Sequence, residues 1–253
     1  MTDTHNDISV VAVLGGGLMG SGIAQVCAAS GYATTLREVS VELCDRARTS
    51  ISWSLDRAIE KGKATAADRD AALGRINFTT SIADIAPADI VIEAVVEDLA
   101  IKSQMFAELD SLCGAATIFA SNTSSLTIAE LAAATSRPDR FVGMHFFNPV
   151  PAMKLVEVVR AIKTSDSTVD RALAFVQSLG KEPIRARDNS GFVVNLLLVP
   201  YMIDAIRALE SGVASIADID KGMMLGAGYP MGPFTLLDFV GLDTTYRIAE
   251  IMY

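Results

Sequence analysis

The sequence predicts an α/β protein, in which a mainly parallel sheet covered by helices is followed by a smaller all-helical domain. Apolar runs of strand length alternate with helical patterns until about residue 186, after which strand patterns stop. This alternation is typical of a parallel sheet covered by helices. We therefore expect a first domain over residues 1–187 and a second domain over residues 188–253.

Each element has its own signal in the chain. Strands are predicted where short apolar runs end in glycine or in polar residues: Val10–Leu14, Ala33–Glu38, Ile90–Glu93, Ile118–Ser121, Phe141–His145 and Leu155–Val159. Helices are predicted between them: a glycine-opened helix ending at Ala29, a long polar helix from Val41 to about Gly62, and Lys102–Leu112. Three further helices, separated by glycine and proline, are predicted for the second domain: Phe192–Ser211, Ile216–Leu225 and Pro233–Met252.

The composition excludes several classes of protein. Hydrophobic residues make up 51% of the chain and charged residues 20%, which is ordinary for a globular protein with a sizeable core. The net charge of −9 argues against nucleic acid or an anionic membrane as a partner. The longest apolar run, Phe192–Ile203, contains Asn195 and Pro200 and is shorter than the roughly 18 residues of a membrane-spanning helix.

Cysteine and histidine usage favours a reduced, cytoplasmic protein without a metal. The three cysteines form no Cys-x-x-Cys pair, and an odd number is a poor basis for disulfides. Only His5 and His145 are present, which excludes a His-rich zinc site. The polar, acidic N-terminus resembles neither a secretory signal nor a transit peptide.

A glycine-rich turn predicts dinucleotide binding. The letters GGGLMG fit Gly-x-Gly-x-x-Gly directly after the first strand and at the start of a helix. In this motif Gly15 permits a tight turn, Gly17 permits close approach of a pyrophosphate, and Gly20 permits close packing of the helix on the strand. Leu18 and Met19 begin the helix, whose N-terminus offers N–H groups and a positive dipole to the anion. A purely structural turn is the alternative.

Glu38, at the end of the second predicted strand, bears on the choice of cofactor. A carboxylate at this place accepts hydrogen bonds from a ribose diol and repels a 2′-phosphate, which favours NAD over NADP. The neighbouring Arg37 favours the opposite choice, because an arginine accommodates that phosphate. An ordinary surface glutamate is the structural alternative.

Polar side chains follow three predicted strands, at the edge where an open parallel sheet binds its ligands. Glu97 follows the third strand, the segment Ser121–Ser125 follows the fourth, and His145 ends the fifth. Histidine is the residue type best suited to exchange a proton near neutral pH. A lone histidine is also often a packed structural residue, so its surroundings decide between the two interpretations.

Glu157 is the expected partner of His145. It interrupts the apolar strand Leu155–Val159, where a carboxylate needs a hydrogen-bond partner. The midpoint of positions 145 and 157 is Pro151, so two antiparallel strands that turn there would place His145 opposite Glu157, with Cβ atoms about 5 Å apart. The carboxylate would then hold one ring nitrogen and leave the other to act as a base.

Two further polar residues have a functional and a structural interpretation. Ser124 lies at the end of the fourth strand but also near the start of a helix, for which Thr127 with Glu130 is the better capping box. Asn195 lies opposite a polar stripe on a predicted helix. Its amide needs hydrogen bonds, either from a ligand in the cleft between the domains or from a structural network.

Seven segments together carry a family resemblance: GGGLMGSGIAQV, EAVVED, SNTSSL, GMHFFNPVPAMKLVEVV, GKEPI, DNSGFVVN and GAGYPMGPFTLLDFVGLDTT. They resemble the L-3-hydroxyacyl-CoA dehydrogenase family, including bacterial 3-hydroxybutyryl-CoA dehydrogenases, from about Val10 to the end of the chain. The resemblance implies a Rossmann domain that binds NAD and a helical domain that forms a homodimer and closes the substrate cleft. It implies reversible oxidation of (S)-3-hydroxyacyl-CoA, of the acetoacetyl-CoA and 3-hydroxybutyryl-CoA class, to 3-oxoacyl-CoA.

The resemblance also implies roles for individual residues. His145 would take the proton from the C3 hydroxyl, Glu157 would orient it, and Ser124 would contact the substrate oxygen. Asn148 would support the site near the nicotinamide, and Asn195 would contact substrate. The remaining positions are implied to lie near the cofactor (Glu97, Lys102 and Asn122) or near coenzyme A (Ser54 and Lys61).

Three features depart from the family pattern. Glu38 stands where the family usually has Asp, and Leu196 follows Asn195 where an arginine is frequent. Family chains continue beyond the GLDTT segment with a further helix and a short tail, whereas this sequence ends at Tyr253, so a second domain truncated at its C-terminus is one expectation.

Two other functions stay open at this point. One is a hydroxy-acid dehydrogenase, for example for a sugar acid, that does not use coenzyme A. The other is a catalytically silent, crystallin-like Rossmann protein, against which the intact residues Ser124, His145, Asn148 and Glu157 argue.

Overall fold

A computed structural model describes residues 7–252, and its eight strands form one sheet. The strands are β1 (Val10–Leu14), β2 (Ala33–Arg37), β3 (Ile76–Thr79), β4 (Ile90–Glu93), β5 (Ile118–Ser121), β6 (Phe141–Phe146), β7 (Leu155–Arg160) and β8 (Glu182–Arg187). Their spatial order is β3-β2-β1-β4-β5-β6-β7-β8. All neighbouring strands are parallel except β6 and β7, so the predicted mainly parallel sheet is confirmed.

Ten α-helices accompany the sheet within the described residues. They are α1 (Leu18–Ala29), α2 (Val41–Glu60), α3 (Ala66–Gly74), α4 (Leu99–Leu112), α5 (Ile128–Ala132), α6 (Asp166–Ser178), α7 (Val194–Glu210), α8 (Ile216–Gly226), α9 (Pro233–Val240) and α10 (Leu242–Met252). Several begin at a polar side chain that satisfies an otherwise unpaired N–H group. Ser40, for example, caps α2, and Asp98 caps α4.

The central strands form the core of the sheet. Every residue of β4, β5 and β6 is buried, which explains why these strands read as nearly continuous apolar runs. Three rings, those of Phe106, Phe119 and Phe141, pack together with centroids 4.6–6.4 Å apart. The buried polar exceptions on these strands, Glu93, Ser121 and His145, lie at or near carboxyl ends.

The chain separates into two compact units, Met1–Asp188 and Asn189–Tyr253. The second unit is helical, and its small core includes Val199, Met202 and Leu237. The prediction of one helix over Pro233–Met252 is wrong. Gly241 has φ +95°, which a right-handed helix does not allow, and the segment therefore forms α9 and α10.

Other element boundaries in the first unit differ from the predictions in detail. β2 ends at Arg37, so Glu38 lies just beyond the strand, and α4 begins at Leu99 instead of Lys102. The elements α3, β3, α6 and β8 were not predicted. The three cysteines are free and buried, and no helix within residues 7–252 is long and apolar enough to span a bilayer.

Candidate active site

The glycine loop between β1 and α1 is shaped for an anion. Gly15 has φ +91°, which residues with a side chain rarely adopt, and a Cβ on Gly20 would lie 1.8 Å from the Gly15 carbonyl oxygen. A Cβ on Gly17 would meet nothing within 4 Å, so the loop is open at that position. Gly17 is the N-cap of α1, and no side chain caps this helix, which leaves its first N–H groups to an incoming phosphate.

Glu38 contacts the glycine loop from the end of β2. Its Oε1 accepts a hydrogen bond from the Gly16 N–H at 2.5 Å, and its Oε2 accepts one from the Val39 N–H at 3.0 Å. The Arg37 side chain instead donates to the Thr80 carbonyl oxygen at 3.4 Å. A carboxylate beside the loop suits a ribose diol better than a 2′-phosphate, so these residues fit NAD.

His145 and Glu157 form a buried pair on adjacent antiparallel strands. The register places His145 directly opposite Glu157, and Nδ1 of His145 lies 2.6 Å from Oε2 of Glu157. The predicted pairing is therefore confirmed. Glu157 is completely buried between Val156 and Val158 of β7, and His145, directly across from it on β6, is also buried. The other histidine, His5, lies outside the described residues.

A second buried carboxylate, which the sequence analysis missed, terminates β4. Oε1 of Glu93 accepts hydrogen bonds from the Val95 N–H at 2.7 Å and pairs with Lys102 Nζ at 3.0 Å. Its Oε2 accepts a hydrogen bond from the Ser121 hydroxyl at 2.6 Å. A carboxylate at the end of a fully apolar strand is the same signal that identified Glu157, and it was visible in the sequence.

Glu97 extends this cluster toward the outside. Its Oε2 pairs with Lys102 Nζ at 2.6 Å, and its Oε1 accepts hydrogen bonds from the hydroxyls of Thr123 and Ser125. Burial by itself raises the pKa of Glu97, but the Lys102 charge and these hydrogen bonds outweigh it and hold the pKa below its ordinary value. We call Glu93, Glu97 and Lys102 the carboxylate–lysine network.

The segment 121–125 is fixed by this network and by β6. Burial alternates along it, since Thr123 is buried and bonded to Glu97, whereas Asn122 and Ser124 are half-buried. Oδ1 of Asn122 accepts a hydrogen bond from the Phe146 N–H at 2.9 Å, directly after His145. The Ser124 hydroxyl forms no hydrogen bond with another described residue, which leaves it able to bond a ligand.

The other predicted site residues form no hydrogen bond with this cluster. Asn148 is exposed in the connection between β6 and β7. Asn195 is half-buried on α7, in the second unit. Ser54 is half-buried on α2, and Lys61 is exposed just beyond that helix, as its C-cap, and does not lie within it.

The predicted capping box at α5 is wrong, because a different side chain caps the helix. Thr127 is the N-cap residue, but its side chain accepts no hydrogen bond from the helix. The carboxylate of Asp188 takes that place, accepting from Ile128 N–H at 2.8 Å and from Ala129 N–H at 2.7 Å. A residue sixty positions away thus caps the helix that follows Ser124.

The buried Cys27 thiol is not a source of protons or a nucleophile near neutral pH. Burial raises the pKa of the Cys27 thiol to about 12, so the thiol stays protonated. Within residues 7–252, no group of three or more His, Cys, Asp or Glu side chains is arranged to hold a metal ion.

Two family models match the chain. The NAD binding domain of 3-hydroxyacyl-CoA dehydrogenase matches residues 10–189, and the C-terminal domain of 3-hydroxyacyl-CoA dehydrogenase matches residues 191–253. The chain belongs to the 3-hydroxyacyl-CoA dehydrogenase family. The family, the Rossmann-type fold and NAD as the cofactor, all predicted from the sequence, are confirmed.

Individual members of the 3-hydroxyacyl-CoA dehydrogenase family are similar over nearly the whole chain. The mitochondrial hydroxyacyl-coenzyme A dehydrogenase of Sus scrofa is 51% identical, over 95% of this chain and 78% of its own. The 3-hydroxybutyryl-CoA dehydrogenase of Mycobacterium tuberculosis is 48% identical, over 97% of this chain and 87% of its own. The crystal structure of (S)-3-hydroxybutyryl-CoA dehydrogenase from Ralstonia eutropha matches with a TM-score of 0.94 at 45% identity, covering 97% of this chain and 87% of that one.

Proposed function

We propose that this protein is an NAD-dependent 3-hydroxyacyl-CoA dehydrogenase, which interconverts (S)-3-hydroxyacyl-CoA and 3-oxoacyl-CoA. The observation that carries the proposal is the buried His145–Glu157 pair, 2.6 Å apart, on a sheet whose glycine loop fits a dinucleotide. Oxidation of a secondary alcohol needs a group that accepts the proton and a cofactor that accepts the hydride. The His145–Glu157 pair is suited to the first, and the dinucleotide held by the glycine loop supplies the second.

His145 acts as the general base for the oxidation. The Nδ1–H donates to Oε2 of Glu157, which fixes the tautomer and stabilises the imidazolium that forms. Nε2 then takes the proton from the C3 hydroxyl of the substrate, and in the reverse reaction it returns the proton to the C3 oxygen. The burial of Glu157 keeps its charge from being screened by water.

Ser124 positions the substrate by a hydrogen bond to the same C3 oxygen. Its segment is held on one side by the carboxylate–lysine network and on the other by the Asn122 hydrogen bond to β6. This anchoring supports a hydroxyl that is already oriented before substrate binds. Asn148, exposed after β6, is proposed to support the nicotinamide side of the site.

NAD, when bound, supplies the hydride acceptor. The proposed cofactor-binding residues of the chain are Gly15, Gly17, Leu18, Met19, Gly20, Glu38, Glu97, Lys102 and Asn122. Lys102 is almost completely buried and paired with two carboxylates, which supports an indirect role for its ammonium group.

The proposed substrate is an acyl-CoA of the acetoacetyl-CoA and 3-hydroxybutyryl-CoA class. Ser54 and Lys61 are proposed to meet coenzyme A, and Asn195 to contact the acyl part. A homodimer formed through the second unit is also proposed, supported by exposed apolar side chains such as Leu225 and Phe239. A cytoplasmic location stays a prediction.

An absorbance assay tests the function directly. Purified protein is mixed with NADH and either acetoacetyl-CoA or free acetoacetate, and the loss of NADH is followed. We expect rapid turnover with the thioester, little with the free acid, and competition by free coenzyme A. Equal rates with both substrates would favour a hydroxy-acid dehydrogenase without coenzyme A, and no turnover with either would contradict the proposed activity.

A further inference from the structure

Lys181, the residue directly before β8, places an amino group inside the first unit, where the residue is only 7% exposed. Lysine is rarely buried to this extent unless a carboxylate pairs with it. Within residues 7–252, however, Lys181 forms no ion pair with an aspartate or glutamate, and its hydrogen bonds go to backbone carbonyl groups instead. Those carbonyl groups therefore indicate what the buried lysine does.

Both carbonyl groups belong to the segment that joins β6 to β7. We call residues 147–154 the β6–β7 connection. Nζ of Lys181 donates to the Val150 carbonyl oxygen at 2.6 Å and to the Met153 carbonyl oxygen at 2.7 Å. Burial lowers the pKa of the Lys181 amino group, but the protonated and the neutral amine both carry at least two N–H groups, one for each carbonyl. Lys181 thus holds the connection at two points in either protonation state.

The β6–β7 connection touches the proposed base. It leads from β6, which carries His145, to β7, which carries Glu157. Its first residue, Phe147, packs on the imidazole of His145, with ring centroids 4.5 Å apart. Farther along, Val150 is buried, and a Cβ on Gly22 of α1 would lie 2.8 Å from the Val150 Cβ, so the connection rests closely on that helix. A displaced connection would therefore move the ring that packs on the base.

We propose that Lys181 is a positioning residue for the reaction. By holding the carbonyl groups of Val150 and Met153, it fixes the β6–β7 connection and, through Phe147, the orientation of the His145 imidazole. This inference rests on the proposed function, in which Nε2 of His145 exchanges a proton with the C3 oxygen. A hydrogen bond at Nδ1 tolerates a range of ring tilts, and the Phe147 ring limits that range. Misplacement by about 1 Å can lower a rate about 100-fold, so this restraint matters to kcat.

The first part of the test removes the N–H donors of the lysine. Lys181→Met has a side chain of similar length without donors. Its kcat is measured for reduction of acetoacetyl-CoA at saturating NADH and substrate, at a temperature where circular dichroism shows the protein to be folded. We expect kcat to fall about 10- to 100-fold. The matched control is Lys163→Met, at an exposed lysine, which should keep the kcat of the wild type.

A double-mutant cycle with Phe147→Ala separates positioning from a merely structural role. Phe147→Ala removes the ring that packs on His145 and should itself lower kcat. Because both substitutions remove the same restraint, adding Lys181→Met to Phe147→Ala should change kcat by no more than about twofold. A lysine that only stabilises the fold would act independently of Phe147, and the two losses in kcat would multiply.

Multiplied losses would overturn the inference, as would a kcat of Lys181→Met or of Phe147→Ala close to that of the wild type. Should Lys181→Met not fold, Lys181→Gln takes its place in the same cycle, and the same outcomes decide. Its amide keeps two N–H groups on a side chain that is one bond shorter, so we expect a smaller fall in kcat. A wild-type protein without activity on acetoacetyl-CoA would instead contradict the proposed function.

Discussion

Replacing Glu157 with glutamine removes the charge opposite His145 while keeping the length of the side chain. The two groups are 2.6 Å apart and both are buried, so the pair is a charge-assisted hydrogen bond with little screening by water. Such a bond contributes about 1.5–3 kcal/mol. The bond to the imidazolium strengthens as the proton is taken from the substrate, and this energy acts on the transition state. At about 1.4 kcal/mol per tenfold change in rate, kcat should fall about 10- to 150-fold.

The assay is steady-state reduction of acetoacetyl-CoA by NADH, read at the NADH absorbance, with the Kd of NADH measured separately. We expect kcat to fall while the Kd stays near that of the wild type, because Glu157 is bonded to His145 and not to the glycine loop. Glu182→Gln, an exposed carboxylate on the neighbouring strand β8, is the control and should leave kcat unchanged. A folded Glu157→Gln protein with a kcat within twofold of the wild type would refute the orienting role.

Three further predictions follow from contacts in the structure. Gly17→Ala should fold with an unchanged Tm yet bind NAD weakly, whereas Gly20→Ala should lower the Tm itself, since its Cβ would lie 1.8 Å from a backbone oxygen. Calorimetry measures the NAD affinity of each variant and thermal melts measure its Tm. Equal melting temperatures of the two variants would contradict the loop geometry. Because the pKa of Glu97 is lowered in the folded protein, the contribution of its charge to the free energy of unfolding is present above pH 4.5 and is lost as the pH falls through the folded-state pKa. The Tm difference between wild type and Glu97→Gln should therefore shrink in acid. A difference that stays constant with pH would contradict the stabilising role of the Glu97 charge. Asp188→Ala should lower the free energy of unfolding, measured in urea, by about 1 kcal/mol, whereas Thr127→Ala should leave it almost unchanged. The reverse order would show that the Thr127 side chain caps α5.

The parallel sheet was predictable because strands that are buried on both faces appear in the sequence as short, nearly continuous apolar runs. The strands Ile90–Glu93 and Ile118–Ser121 are predicted with their observed bounds, since each is an apolar run closed by a polar residue. β3 was missed because it is a four-residue strand at the edge of the sheet and only one of its residues is buried. The break at Gly241 was missed because glycine within an apolar helical pattern is often tolerated, and only its positive φ shows the end of the helix.

The site was predictable where its geometry follows from chain connectivity. A short connection between two antiparallel strands fixes the register, and the midpoint at Pro151 therefore placed His145 opposite Glu157. The role of Asp188 as a cap was not predictable, because its partner is sixty positions away and no local pattern links them. Glu93, like Glu157, is a carboxylate in an otherwise apolar buried strand. Its partners could not be predicted, because no turn between paired strands indicates which residues lie beside it.

The central claim is that the imidazole of His145 moves the proton in the reaction. Single-turnover formation of NADH, measured in a stopped-flow instrument with wild type and His145→Gln at saturating NAD and 3-hydroxybutyryl-CoA, tests it most directly. We predict that the rate constant for NADH formation falls by about 10²- to 10⁴-fold while the affinity for NAD is unchanged. A rate constant close to that of the wild type would show that another group accepts the proton.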